Sequence, residues 1–354
     1  MNEDLSDLCR YEKNSEEFQD AQIDDKFSSD HDVSIVKDTK TNKILVKKSF
    51  YLNDDVEIKY FDREVKLLNE VKIKGFPFIK FFGFHRQKIE NETEDDEESF
   101  ILTEYLSNGS FNQLIEKKFS PDSHIDNYDT ILMKILYGIA FGLNYLHNHK
   151  SIVHRDIKPD NIFLDDDFNP YIGDFGFSRI IKKDEVKMTG STGSLLYMAP
   201  EIMYEEVVNK DMSIDSYSFA ITVLKALTGS LTIYDESNNE TSADCVEEDY
   251  LINYFLDGNR YNEIEKLNED LSAFREFITA CWDENPDKRW KIDKILKSMK
   301  NKELYLPNCN DEVFSQYVDK LDDFLIKHQQ HKKPLKKKKS TKKFRPSISK
   351  VDDE

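Results

Sequence analysis

The feature that most constrains the fold is a change of hydrophobic period at Asn108-Gly109. Before it, apolar residues come in short alternating patches. Val33-Ser34-Ile35-Val36 and Ile44-Leu45-Val46 flank Asp38-Thr39-Lys40-Thr41-Asn42, a stretch of turn formers that predicts a hairpin. Phe61, Val65, Leu67, Leu68 and Val71 fall on one helical face, so one amphipathic helix is expected there. Strands are expected again at Phe78 to Phe84 and Phe100 to Tyr105, separated by the acidic insertion Glu90 to Glu98. After Gly109 the text turns helical. Tyr128 to His147 is rich in Ile, Leu and Tyr with few breakers, the pattern of a buried helix. Together these predict an α+β chain: a small antiparallel-sheet lobe with one helix, then a larger helical lobe.

Charge sets limits on partners. The 354 residues carry a formal net charge of −19, which argues against a general nucleic-acid-binding surface because phosphate is repelled. The polar, acidic stretch 1–20 predicts a mobile lead-in, not a signal peptide. No apolar run approaches the roughly 18 residues that a membrane span needs. Cys9, Cys245, Cys281 and Cys309 lie far apart without Cys-x-x-Cys spacing, so neither a zinc site nor a disulfide framework is expected. Reduced thiols fit a cytoplasmic or nuclear location. Val313 to His328 predicts a further amphipathic helix within a 307–330 extension. A basic tail, 331–354, follows and is expected to be disordered. Within it His331 to Arg345 holds eight lysines and one arginine, which suits an anionic partner or a nuclear address.

Three motifs in fixed order carry the chemistry. They are His154-Arg155-Asp156-Ile157-Lys158-Pro159-Asp160-Asn161, Asp174-Phe175-Gly176 and Ala199-Pro200-Glu201. The set resembles the eukaryotic protein kinase family over residues 21–306. The resemblance implies a two-lobed kinase fold, ATP and Mg²⁺ as cosubstrate and cofactor, and a protein hydroxyl as acceptor. Asp156 would take the acceptor proton, Lys158 would reach the γ-phosphate, and Asn161 and Asp174 would hold Mg²⁺ through oxygen. Lys158-Pro159 looks like the Ser/Thr-directed form of the loop. Asp215-Ser216-Tyr217-Ser218-Phe219 and Cys281-Trp282-x-x-x-Pro286-x-x-Arg289 are similar to the tyrosine-kinase-like branch. There Asp215 anchors the catalytic loop and Arg289 pairs with Glu201. The family places a bracing histidine at His154.

The same resemblance implies a nucleotide site. Its phosphate-steadying lysine falls on the third strand, at Lys48 or at the adjoining Lys47. Alternation puts Ile44, Val46 and Lys48 on one face and Leu45 and Lys47 on the other. Counting back from Lys48 makes Val33 the roof over adenine and Val46 its neighbour. Glu64 is the expected ion-pair partner, Thr103 the gatekeeper and Glu104-Tyr105-Leu106 the hinge, with Phe163 beneath the base.

One departure stands out. The family covers the phosphates with Gly-x-Gly-x-x-Gly, but the first glycine here is Gly75, and Lys26, Ser28 and His31 occupy the three slots. Glycine permits close backbone approach and φ > 0, so weakened ATP handling is expected, and a pseudokinase is the alternative. The activation segment, Asp174 to Glu201, offers Thr189, Ser191 and Thr192 for phosphorylation, with Ser194 at a bracing position and Arg155 placed to receive the new charge.

Overall fold

The structure is a computed structural model that describes residues 17–21, 32–71, 77–86, 98–180, 195–203, 212–235, 237 and 239–330. The lobe before Asn108 contains β1 (Phe18–Asp20), β2 (Val33–Asp38), β3 (Ile44–Phe50), α1 (Asp55–Glu70), β4 (Phe81–His85) and β5 (Ser99–Glu104). The strands form one antiparallel sheet in the order β1-β2-β3-β5-β4. The hairpin between β2 and β3 closes on Asp38, whose Oδ1 accepts from Lys40 N at 2.8 Å and Thr41 N at 2.9 Å, while Asn42 turns at φ 59°.

Two differences from the sequence reading have physical causes. Phe18–Asp20, inside the stretch expected to be a lead-in, form an edge strand on Val36–Asp38. Phe18 meets Phe100 edge-on at 5.9 Å, and that aromatic contact gives three polar-flanked residues a reason to order. Helix α1 begins a turn and a half before Phe61. Asp54 Oδ1 accepts from Glu57 N at 2.8 Å, and Glu57 reaches back to Asn53 N at 2.7 Å. This satisfies orphan donors of a polar first turn that hydrophobic periodicity does not reveal.

The second lobe begins with α2 (Phe111–Phe119) and α3 (Tyr128–Tyr145). Ser110 caps α2 in a capping box with Gln113. Gly109 before it sits at φ +69°, a left-handed turn that strains residues with a Cβ. Helix α3 is the central post, with fourteen of its eighteen residues buried, so hydrophobic burial and not amphipathic balance holds it. It runs into a π-helical turn, Leu146–Lys150. Short strands follow: β6 (Ile152–Val153), β7 (Ile162–Leu164), β8 (Pro170–Ile172) and β9 (Arg179–Ile180), paired β6–β9 and β7–β8. The rest is α4 (Pro200–Met203), α5 (Ser213–Thr228), the hairpin β10 (Thr232–Tyr234) and β11 (Glu240–Ser242), α6 (Glu248–Leu256), α7 (Ser272–Cys281), α8 (Ile292–Lys300) and α9 (Asp311–Gln330). The expected two-lobed α+β architecture is therefore present.

One hydrophobic core spans both lobes. Phe61, Val65, Leu68, Phe78 and Phe175 join it to α3. Fully burying each such side chain is worth about 1.5–3 kcal/mol, so the lobes are held at a continuous apolar seam below the cleft. Arg289 clasps Glu201 through Nη1 at 2.6 Å and Nη2 at 2.8 Å, with the Arg289 side chain wholly buried. This bidentate pair ties the segment after Leu195 to the base of the second lobe. Among the described residues no helix is long and apolar enough to cross a membrane.

Candidate active site

Between the lobes lies a cavity of about 470 Å³. Its lining brings together Val33, Val46, Lys48, Glu64, Glu104, Leu106, Lys158, Asn161, Phe163 and Asp174. These come from seven places in the chain, and each is aimed by its element. In the β2–β3 register Val33 faces Lys48 and Ile35 faces Val46, so alternation sends Val33, Ile35, Val46 and Lys48 to the same side. Lys47 is corrected as a candidate ligand: the same alternation turns it to the outer face, where it pairs with Glu98 and lies 5.1 Å from the Phe100 ring centre.

Lys48 Nζ lies 3.2 Å from Glu64 Oε2 and 3.1 Å from Asp174 Oδ1. Burial alone would lower its pKa, but the two carboxylates outweigh this and hold the ammonium above its ordinary range. Burial pushes Glu64 up to about 7, only partly offset by Lys48. Asp174 stays below its ordinary value: burial opposes this, but Lys48 and the Gly176 N–H overcome it. The first lobe's helix, its third strand and the Asp174 loop thus meet at one ammonium.

Asp156, 4 % exposed, is not itself in the cavity lining and is held beside it by two residues that are, Lys158 and Asn161. Its Oδ2 accepts from Asn161 Nδ2 at 2.7 Å and lies 3.2 Å from Lys158 Nζ. Asn161 Nδ2 also donates to the Asp156 carbonyl at 2.8 Å. With its nitrogen committed to Asp156, the amide has Oδ1 as the atom that could meet a metal. Asn161 and Asp174 then offer one amide oxygen and one carboxylate. No group of three or more His, Cys, Asp or Glu among the described residues could hold a metal. A sparse oxygen set of this kind fits Mg²⁺ shared with phosphates better than a metal caged by protein alone.

The loop that carries Asp156 is strained and braced. Arg155 adopts φ 75° and Asp174 φ 52°, left-handed conformations that cost non-glycine residues roughly 1–3 kcal/mol each. Asp215, fully buried on α5, offsets this by accepting from His154 N and Arg155 N, both at 2.8 Å, and from His147 Nε2 at 2.8 Å. Burial would raise its pKa, yet these donors hold it below the ordinary carboxylate value. His154 is fully buried, its Nδ1 accepting from Asp156 N at 3.4 Å and its Nε2 donating to the Gly173 carbonyl at 3.0 Å. Its ring meets Phe175 at 5.0 Å, which in turn meets Phe78 at 6.1 Å. At Gly173, a Cβ would come within 2.7 Å of the Phe163 ring, so the chain can pass beneath the cavity only with glycine there.

Several lining residues were not singled out from the sequence. Ile35 lies two positions past Val33 and follows from strand alternation. Leu68, Ile79 and Ile101 become cleft residues only once the helix and strands are placed. Arg155 Nε and Nη1 are buried without a hydrogen-bond partner among the described residues. Burial takes the Arg155 guanidinium down to about 10, with Arg63 nearby adding repulsion. Arg63 itself donates to the Gly176 carbonyl at 3.4 Å. Lys26, Ser28 and His31, and the activation-segment hydroxyls Thr189, Ser191, Thr192 and Ser194, lie outside the described residues, as does the 331–345 tail.

Comparison with known proteins agrees with this geometry. The protein kinase domain model matches residues 30–299. The serine/threonine-protein kinase VIK of Arabidopsis thaliana is 31% identical over 268 residues, covering 73% of this chain and 54% of that protein. The LRR receptor-like serine/threonine-protein kinase FEI 2, also of Arabidopsis thaliana, is 27% identical over 294 residues, covering 78% and 45%. The leucine-rich repeat receptor-like protein kinase PEPR2 of the same plant is 30% identical over 230 residues, covering 61% and 21%. The chain therefore spans about half or less of the length of these relatives. With a domain model matched over most of its length and a two-lobed fold around this cleft, the chain belongs to the protein kinase family.

Proposed function

We propose that this chain is an active Ser/Thr protein kinase that moves the γ-phosphoryl group of Mg·ATP to a protein hydroxyl, under control of its activation segment. The observation that carries the reading is the Lys48–Glu64–Asp174 ion-pair set, which lines one cleft together with Lys158 and Asn161, the two residues that hold Asp156. Adenine would lie between Val33 and Val46 above and Phe163 below, bonded to the backbone of Glu104 to Leu106. Lys48 would hold the α- and β-phosphates. Asp156 would orient the acceptor hydroxyl and take its proton as the oxygen bonds to γ-phosphorus and the bond to the β-phosphate bridging oxygen breaks. Lys158 would balance charge on the γ-phosphate oxygens. Mg²⁺, on Asn161 and Asp174, would neutralise the phosphates.

Lys158-Pro159 and the relatives named serine/threonine-protein kinases support Ser/Thr as the acceptor. Arg155, half-buried and with Nε and Nη1 short of partners among the described residues, supports control by an added phosphate on Thr189, Ser191 or Thr192. The basic stretch 331–345 would take an anionic partner, and the widely spaced cysteines suit the cytoplasm or nucleus. A second reading, a pseudokinase that binds without turnover, has one observation in its favour: no glycine precedes Gly75.

Phosphoamino-acid analysis of a generic protein substrate tests the acceptor. Phosphoserine or phosphothreonine with the wild type and none with Asp156→Asn supports the reading. Phosphotyrosine alone would overturn the Ser/Thr assignment.

A further inference from the structure

Helix α9 begins at Asp311, beyond the matched domain, yet Phe314, Tyr317, Val318 and Leu321 bury one face of it against the second lobe. Phe314 is 1 % exposed, and its ring meets Tyr137 of α3 at 5.6 Å. Phe324 meets Phe141 at 6.5 Å. The approach to the helix is pinned as well: Asn310 N donates to Thr130 Oγ1 at 2.8 Å.

One contact leads from this helix toward the cleft. Tyr317 is 5 % exposed, and Lys134 Nζ sits 5.5 Å from its ring centre. The same Nζ donates to the Asp167 carbonyl at 2.7 Å. Asp167 lies in the turn joining β7 to β8, a turn organised by Asp165, which accepts from Asn169 N at 2.8 Å and Asp167 N at 3.0 Å. From that turn two connections enter the nucleotide site. The Asp165 carbonyl accepts from Asn108 Nδ2 at 2.7 Å, at the end of the hinge. Strand β7 carries Phe163, the floor of the cavity, and Leu164 exchanges backbone hydrogen bonds with Asn108 and Gly109 at 3.2 and 2.9 Å.

We propose that α9 is a positioning element for the nucleotide site, acting through Tyr317 and Lys134 on the β7–β8 turn and thereby on Phe163 and the hinge. Lys134 would otherwise be a mobile lysine on a helix surface. The Tyr317 ring holds its charge over the turn, where the Asp167 carbonyl accepts its hydrogen bond. Neither residue touches nucleotide. The ATP consequence rests on the reading of the cleft as a nucleotide site; the mechanical link does not.

The test uses the full chain and two readouts. Hydrogen exchange at the Asn108 and Leu164 amides needs no nucleotide. Mg·ATP affinity and the separation of KM from kcat report the consequence. Tyr317→Ala and Lys134→Met each remove a cation–π contact, and Lys134→Met also removes a charged hydrogen bond. Exchange at the two amides is expected to rise by about tenfold, and KM for ATP by a similar factor, with kcat within about twofold. Tyr317→Phe keeps the ring and should match the wild type, as should Ile326→Ala on the exposed side of the same helix. If Tyr317→Ala fails to fold, Lys134→Met carries the test. Unchanged exchange at Asn108 and Leu164 in Lys134→Met would overturn the link. Raised exchange in a protein that binds no Mg·ATP would instead refute the nucleotide reading and leave the link standing.

Discussion

Replacing Lys48 by Met should cripple phosphoryl transfer, whereas replacing Lys47 by Met should leave it nearly intact. The two residues are adjacent, so composition, net charge and helix or strand propensity change equally. Only their faces differ. Lys48 bridges Glu64, whose side chain is 6 % exposed, and Asp174. Removing one partner of a buried pair costs about 3–5 kcal/mol. Lys48 itself is 31 % exposed, so the lower end of that range applies. About 3 kcal/mol taken from transition-state positioning is about two orders of magnitude in kcat/KM. Lys47 and Glu98 are 22 % and 30 % exposed at the sheet surface, where an ion pair is worth about 0–1 kcal/mol and is screened by salt. A loss of at most about threefold is expected there. The assay is initial-rate transfer of γ-label to a generic protein substrate across ATP concentrations, with circular dichroism to confirm folding. A folded, inactive Lys47→Met beside a working Lys48→Met would refute the register of β3 and with it the assignment of the cleft.

Other outcomes follow from the bracing of the loop. Asp215→Asn puts an amide nitrogen or a weaker acceptor against two backbone donors and should cost about 2–4 kcal/mol, seen as a fall of about 3–5 °C in Tm. An unchanged Tm would remove Asp215 as the offset to strain at Arg155. Burial pushes the Glu64 carboxyl up to about 7 in the folded chain, above its ordinary 4.5. Its protonated form therefore favours the fold: that contribution is complete below about pH 4.5 and is lost as pH rises through about 7, up to about 3 kcal/mol. Urea titrations at several pH values should show this slope in the wild type, flattened in Glu64→Gln; identical slopes would place Glu64 in a more polar setting than the structure gives it.

Much of this was legible in the sequence because the decisive information is local. The α+β, two-lobed order follows from a change of period at Gly109, and strand alternation alone distinguishes the faces of Lys47 and Lys48. The meeting of Asp215 with His154 and Arg155, about sixty residues apart, is not local; only the resemblance could suggest it. Three things escaped for identifiable reasons. The edge strand Phe18–Asp20 is too short to show a period and is ordered by a contact with Phe100. The start of α1 is polar and rests on the Asp54–Glu57 cap. The Tyr317–Lys134–Asp167 path joins three residues whose types are common on any surface, and only packing brings them together.

The central claim is that this cleft transfers phosphate although its chain has no glycine before Gly75. The most direct measurement is single-turnover label transfer at saturating Mg·ATP, with nucleotide binding followed in the same sample, for the wild type and Asp156→Asn. The account predicts that both proteins bind Mg·ATP with similar affinity and that only the wild type transfers label, with the variant slower by several orders of magnitude, at least about 10³-fold. Equal binding with no transfer by either protein, even with the activation segment phosphorylated beforehand, would contradict it and leave a nucleotide-binding pseudokinase in its place.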